Sequence, residues 1–341
     1  MKITIKDIAR EANLSLSAVS QVLNNKPCRV SEEKKELIRS IAKKYNYSPN
    51  QIARSLVTKR THTFGLIMPD IENIFFSSFA KRLEANCRRH GYALIITNTD
   101  DKYAEDQEMM DLLIARDVDG LFLIVSTESY QYVEQMADRL KRLNIPYVMV
   151  DRVYPEFNCN KVFFNHEMGA YLAVKHLIEQ GHRKIGCIAN KLSSVNRDYR
   201  LDGYMKAMRE YGCEVHDHYI MEGNYRIHSG YHATQELLKT DITAFFVCND
   251  MMTLGVFRKL HESGYAIPQD YSIISYDNTI APFLSDIKLT SIEQNVGELG
   301  DTAFQVLFDQ LNNDQLAHQE ICLLPKLIIN ASVKPILSNK R

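Results

Sequence analysis

Polar residues that directly follow short apolar runs are the first candidates for chemistry in this sequence. Asp70 follows "FGLIM" (64–68), Asp151 follows "YVMV" (147–150), Asn249 and Asp250 follow "AFFVC" (244–248), and Asp277 and Asn278 follow "SIISY" (272–276). If the runs are parallel strands, these residues sit outside the carboxyl ends, where open α/β sheets bind ligands. Each also suits capping of the helix after it, so the ligand reading requires that they converge on one cleft. Catalytic arrangements are absent. No G-x-G-x-x-G follows a strand, and there is no Walker A run, no G-x-S-x-G elbow and no H-E-x-x-H. His182 in "GHRK" precedes a strand and is expected to pack or cap. The expectation is a protein that is not an enzyme and carries no cofactor or metal.

A second candidate surface lies near the start, in "TIKDIAREANLSLSAVSQVLNN" (4–25). Apolar residues fall with helical spacing at Ile5, Ile8, Ala9 and Ala12, and again at Ala18, Val19, Val22 and Leu23. The face opposite the second stripe carries Leu16, Ser17, Ser20, Gln21 and Asn24, with no charge. Short polar groups let a helix sit deep in a major groove and reach base edges, and Leu16 can pack on a thymine methyl.

The elements that would position this face follow from local signals. Helix one is predicted over Ile5–Glu11, and Ser15 caps helix two. The short turn between them forces a steep crossing in which Ala9 approaches Val19, the geometry of a helix-turn-helix. Ser31 caps a third helix with Glu32 and Glu33 in its first turn and a core stripe of Leu37, Ile38, Ile41, Ala42 and Tyr45. In "YSPNQIARSLVTKR" (47–60), Pro49 suits the first turn of a two-turn helix over Asn50 to Val57. A helix that short needs a partner to persist. It reads either as a hinge helix paired with its twofold mate on DNA, with Leu56 wedged between base steps, or as a linker.

From Phe64 onward, short apolar runs alternate with amphipathic stretches, the pattern of parallel sheets covered on both faces. The runs fall in two sets, so the expected fold is α/β: a three-helix head, a hinge helix, and a body of two lobes. Expected boundaries are 1–48 for the head, 49–61 for hinge and linker, 62–160 plus 292–320 for the first lobe, and 161–291 plus 321–341 for the second. Crossings between the lobes are expected near Cys159–Phe164, Leu289–Asn295 and Ile321–Pro325, with the helix over 296–311 returning to the first lobe.

Composition agrees with a multidomain globular chain: 341 residues, 45% hydrophobic and 24% charged. No apolar run approaches a membrane span, and "MKITIKDIA" lacks a secretory core, so a cytoplasmic location is expected. Seven scattered cysteines without a C-x-x-C pair read as reduced thiols. Residues 1–60 hold 13 Lys and Arg against 5 Asp and Glu, a net of +8, while the chain as a whole carries −1. A basic head on an acidic body points the head alone toward a polyanion.

Five segments in order resemble the lactose-repressor (LacI/GalR) family of bacterial transcription regulators. They are "TIKDIAREANLSLSAVSQVLNN", "VSEEKKELIRSIAKKYNYSPNQIARSL", "HLIEQGHRKIGCIAN", "VCNDMMTLGV" and "LTSIEQN". The likeness runs from about Thr4 to Lys334. It implies a repressor that binds a pseudo-palindromic operator as a homodimer or a tetramer built from dimers. It also implies a body like a periplasmic sugar-binding protein, with an effector between the lobes. No sustained leucine heptad marks "KPILSNKR", which favours the dimer.

Carried over by position, DNA contacts fall on Thr4, Leu16, Ser17, Ser20, Gln21, Asn24, Asn25 and Arg29, and in the hinge on Asn50, Ala53, Arg54 and Leu56. Effector contacts fall on Phe75, Phe76, Asp151, Asn196, Arg197, Arg200, Tyr225, Asn249, Asp277 and Gln294. This set suits a sugar, with carboxylates and amides for hydroxyls and rings for the apolar face. Arg197, Arg200 and Lys191 keep a sugar phosphate open. Where the family commonly reads "VSRVLN", this chain has Gln21, which suits adenine better than guanine. A transport or chemoreceptor protein with the same body is the rival class, and the basic head argues against it. Control by a partner protein is the rival within the family.

Overall fold

The computed structural model describes residues 3–24, 27–47, 60–190, 199–284 and 286–336. The chain forms two compact units, Met1–Thr61 and His62–Arg341.

In the head, α1 (Ile5–Glu11) starts after Thr4, whose backbone N–H and Oγ1 donate to Asp7 Oδ2 at 3.0 and 2.7 Å. Asn13 turns the chain at φ 51°, a left-handed conformation that Asn tolerates. Ser15 then caps α2 (Leu16–Leu23), its Oγ accepting from the Ala18 N–H at 3.2 Å. Ser31 does precede α3 (Glu32–Lys44), but its side chain makes no capping bond. Ile8, Ala9, Val19, Val22, Ile38 and Ile41 share one core. Cutting fully buried Ile8 or Ile38 back to Ala would cost about 2–5 kcal/mol. Leu37 and Tyr45 leave the expected stripe, at 44% and 38% exposed. Leu37 lies a third of a turn from Ile38, and Tyr45 stands at the helix's C-cap.

The body holds two six-stranded sheets. The first contains β1 (Thr63–Met68), β2 (Ala93–Asn98), β3 (Gly120–Leu123), β4 (Tyr147–Val150), β5 (Asn160–Phe164) and β11 (Glu320–Leu323). Its spatial order is β11-β5-β4-β3-β1-β2, all parallel. The second contains β6 (Ile185–Ala189), β7 (Ile220–Glu222), β8 (Ala244–Val247), β9 (Ser272–Asp277), β10 (Thr290–Glu293) and β12 (Lys326–Ile328). Its order, β12-β10-β9-β8-β6-β7, repeats the first, except that β12 runs antiparallel to β10.

Helices cover both sheets. The first lobe carries α4 (Ile74–Arg89), α5 (Tyr103–Ala115) and α6 (Val133–Lys141), and the second α7 (His166–Glu179), α8 (Tyr199–Glu210), α9 (Ile227–Leu237) and α10 (Asp250–Glu262). The last helix, α11 (Val296–Asn312), returns to the first lobe as expected. There Leu299, Ala303 and Leu307 join Phe79 and Leu83 of α4 in one core. Arg82 grips Asp301 with two bonds, Nε at 2.7 Å and Nη2 at 2.5 Å.

The chain crosses between lobes three times: after Phe164, after Glu293 and after Leu323. Each lies in a stretch where a crossing is expected from the sequence. The first of these stretches contains "NKVFF", whose backbone completes a ladder between β4 and β11 before the chain crosses. His182 packs, as expected. It is fully buried, with Nδ1 2.8 Å from Thr243 Oγ1 and Nε2 3.1 Å from the Lys334 carbonyl. All seven cysteines carry free thiols. Among the described residues, no helix is long and apolar enough to cross a membrane, and no His, Cys, Asp and Glu group is placed to hold a metal ion.

Candidate functional site

On the head, α2 presents the uncharged face outward. Leu16 is 45% exposed and Ser17 is exposed, while Ser20, Gln21 and Asn24 are half-buried. An exposed Leu on a short helix costs apolar hydration unless a partner covers it. Asn24 is partly engaged within the helix, its Nδ2 donating to the Ser20 carbonyl at 2.8 Å. Thr4 and Arg29 are also exposed. Asn25, Asn50, Ala53, Arg54 and Leu56, and with them the hinge helix, lie outside the described residues.

The body's cleft follows from its topology. The parallel strands of both sheets point their carboxyl ends at the gap between lobes, and a cavity of about 300 Å³ lies there. Of the predicted effector residues, Phe75, Phe76 and Asp151 line it from the first lobe, and Arg200, Tyr225, Asn249 and Asp277 from the second. Asn196 and Arg197 lie outside the described residues. Gln294 does not line the cavity. It is buried behind Asp277, 3.4 Å from its Oδ1 through Nε2.

Four residues in three turns adopt a left-handed conformation, Asp151 (φ 61°), Tyr225 (φ 61°) and Asp277 (φ 93°) on the cavity wall and Asn278 (φ 58°) just behind it. Side chains other than Gly pay about 1–3 kcal/mol for sparsely populated backbone, and such residues cluster at ligand sites. Asn249 holds one of these turns. Its Oδ1 accepts from the Met252 N–H at 2.9 Å, capping α10, and its Nδ2 donates to the Tyr225 carbonyl at 3.0 Å. Asp250 likewise acts on structure: its carboxylate accepts from Ser275 Oγ at 2.6 Å and from Thr279 and Ile280 N–H groups. Capping accounts for Asn249, which also faces the cavity, while Asp250 anchors the loop after β9. Asp70 stays outside the cavity, 3.6 Å from Arg226 of the other lobe.

Two largely covered arginines dominate the electrostatics, with 14% and 11% of their side chains exposed. Arg152 Nη1 donates to Asp101 Oδ1 at 2.6 Å, and its guanidinium lies 5.4 Å from the Phe76 ring and 5.5 Å from the Tyr225 ring. Arg200 donates to the Cys248 carbonyl, lies 3.7 Å from Asp277, and stacks 4.1 Å from Tyr276 and 5.8 Å from Tyr225. The result is an alternating stack of ring and guanidinium, Phe76–Arg152–Tyr225–Arg200–Tyr276, that passes from one lobe to the other. Cation–π contacts of this kind contribute ~0.5–2 kcal/mol each, more where water is excluded.

The carboxyls respond to the same burial. Asp277 is pushed up to about 7, because burial and the nearby Asp250 and Asp151 outweigh the pull of Arg200. Asp151 is raised by burial against both arginines. Its Oδ1 has no hydrogen-bond partner, although His166 Nε2 approaches to 3.6 Å. Burial and Arg200 hold His166 well below its ordinary value, so its ring is neutral.

Arg152 and His166 line the cavity and were not anticipated. Arg152 stands directly after a strand-end Asp, a position the sequence does signal. The role of His166 depends on β5 belonging to the first sheet, and no local pattern announces that.

Comparisons with known proteins fit both halves of this arrangement. Residues 4–50 match the family model of bacterial regulatory proteins, lacI family, and residues 174–333 match that of the periplasmic binding protein-like domain. The transcriptional repressor PurR of Mannheimia succiniciproducens is 33% identical over 336 residues, covering 98% of this chain and 99% of that protein. The lac repressor dimer bound to operator and the anti-inducer ONPF superposes with a TM-score of 0.84 at 25% identity, covering 98% of this chain and all of that one. A LacI family transcriptional regulator from Enterococcus faecium with bound ribose gives a TM-score of 0.70 at 30% identity, covering 81% of this chain and all of that one. The chain therefore belongs to the lacI family of bacterial regulatory proteins, and it is a DNA-binding transcription regulator rather than an enzyme.

Proposed function

We propose that this regulator is a cytoplasmic repressor that binds a pseudo-palindromic operator as a homodimer and is switched by a small carbohydrate between its lobes. The observation that carries the effector half is the cavity itself. Buried carboxylates, two stacked guanidinium groups and the rings of Phe75, Phe76 and Tyr225 face one volume of sugar size. Polar groups for hydroxyls and rings for the apolar face of a sugar are the two things such a ligand needs. The ribose bound by the Enterococcus faecium neighbour and the operator-bound lac repressor dimer support the same reading.

On the DNA side, Leu16, Ser17 and Gln21 would contact base edges, and the basic charge of the head would hold phosphates. Asn50, Ala53, Arg54 and Leu56 would serve the minor groove, with Leu56 opening a base step. Effector and operator shift each other's affinity by one coupling free energy, typically ~1–3 kcal/mol.

Two measurements test this. Selection of binding sites from a random DNA pool should yield a palindrome with adenine facing Gln21; an unchanged guanine preference there would contradict the assignment. A thermal-shift screen of the full chain against sugars and sugar phosphates should find a stabilising ligand. If none shifts the melting temperature, the carbohydrate switch fails and control by a partner protein replaces it.

A further inference from the structure

The first residue of the body is held more firmly than a simple tether requires. His62 opens the second compact unit and adopts a left-handed conformation, φ 54°. Its N–H donates to Asp119 Oδ2 at 2.9 Å, and its carbonyl accepts from the Ala93 N–H at 2.8 Å. The Asp119 N–H donates in turn to the Thr63 carbonyl at 2.7 Å. The start of β1 is therefore gripped by the amino ends of β2 and β3. Sparsely populated backbone of this kind persists only where the surroundings over-determine it, and it clusters at switch regions.

The ring of His62 adds a second hold. It lies 5.1 Å from the Tyr92 ring, which stacks on Phe64 at 4.3 Å and meets Phe308 edge-on at 6.1 Å. Phe308 belongs to α11, whose 17 residues span about 25 Å. The other end of α11 lies at the cleft. Asn295 caps it by accepting from the Glu298 N–H at 3.1 Å, and the preceding Gln294 reaches Asp277 of the cavity wall. Between the two ends, Asp301 accepts from Arg82 and Asn86 of α4, so the helix is fixed to the first lobe. One rigid element thus meets the crossing between the lobes at its start and the ring that holds His62 near its end. Coupling between distant sites is carried by packed elements of this kind, whereas a slack linker would absorb the displacement.

We propose that His62 is a positioning residue for the coupling between cleft and head. It clamps the first residue of the body to α11 through Tyr92 and Phe308, so that a change at the cleft is delivered to the head. This rests on the reading of the cleft as an effector site and concerns transmission, not the choice of ligand.

The test uses the full chain, with fluorescence anisotropy on its selected operator and calorimetric titration with pentoses, hexoses and disaccharides, ribose and glucose among them. His62→Asn removes the ring, while Asn tolerates the left-handed backbone and keeps both main-chain bonds. Operator affinity without sugar, and sugar affinity without operator, should each stay within about threefold of wild type, while the sugar-induced change in operator affinity falls from a typical range of roughly 5- to 150-fold to below about threefold. His62→Tyr places a ring against Tyr92 again and should recover most of the change. Phe308→Leu, on the far side of Tyr92, should lower it as His62→Asn does. A His62→Asn variant that couples sugar to operator as strongly as wild type overturns the inference and leaves the carbohydrate reading intact. So does a variant that loses coupling only in step with sugar or operator affinity, because His62 would then merely support the fold. A wild type whose operator affinity no sugar alters overturns the carbohydrate switch and this inference with it.

Discussion

The two lobes place an aspartate at the same point of the same sheet and use it differently. β4 and β9 hold the third place in their sheets, and each leads into an Asp in left-handed conformation, Asp151 and Asp277. Asp277 is surrounded by its own lobe: Arg200 at 3.7 Å, Gln294 Nε2 at 3.4 Å and the Asp250 N–H at 3.4 Å. Asp151 has an oxygen with no partner. Topology alone delivers a carboxylate to the cleft, and the residues packed around it decide whether its oxygens are all engaged within the lobe.

Removing the cation beside each aspartate should break this comparison most strongly. Arg200→Met leaves Asp277 buried without its counter-charge and should destabilise the body by on the order of 3 kcal/mol. Arg152→Met strips a pair whose Asp101 is a quarter exposed, so about 1–2 kcal/mol is expected, with both losses read by thermal denaturation. Equal losses would mean that the lobes are not differently built. Asp151→Asn should go the other way. It replaces a buried carboxylate whose Oδ1 has no hydrogen-bond partner, so stability should stay within about 1 kcal/mol of wild type or rise, while effector affinity falls.

pH sharpens the contrast. The folded chain holds a proton on Asp277 up to about pH 7, and the unfolded chain releases it near 3.8. The folded state therefore binds more protons between those values. The stability contributed by the protonated carboxyl is complete below about pH 4 and is lost as pH rises through about 7. Melting temperatures of wild type and Asp277→Asn, compared from pH 5 to 8, should differ by a slope that vanishes in the variant. The smallest effect is expected at Arg226 and Asp70, which face each other across the lobes at 3.6 Å with 43% and 22% side-chain exposure. Arg226→Gln should change stability by less than about 1 kcal/mol and lose even that in high salt.

Legibility in the sequence divides along physical lines. The bounds of α1 and the start of α2 follow from a capping Ser15 and helical apolar spacing, which are local signals, and both appear as expected. Leu37 and Tyr45 missed the core because a stripe gives a helix face only to within a third of a turn. Strand-end polar residues were legible because parallel sheets bring carboxyl ends together. Whether each one caps or faces a ligand was not legible, since it depends on neighbours far along the chain. Asn249 is set by Tyr225 and Gln294 by Asp277, while Arg152 owes its place to Asp101. That "NKVFF" is itself a strand was not legible for the same reason: its ladder partners are β4 and β11, the second over 150 residues later.

The central claim of the proposed function is that a sugar bound between the lobes alters how the head grips DNA. It is tested most directly by fluorescence anisotropy of the full chain on its selected operator, with and without the sugar that stabilises the body. The expected result is a shift in operator affinity of roughly 5- to 150-fold, the range of typical couplings, that disappears in Asp151→Asn. An operator affinity unchanged by a sugar that demonstrably binds the cleft would contradict the account.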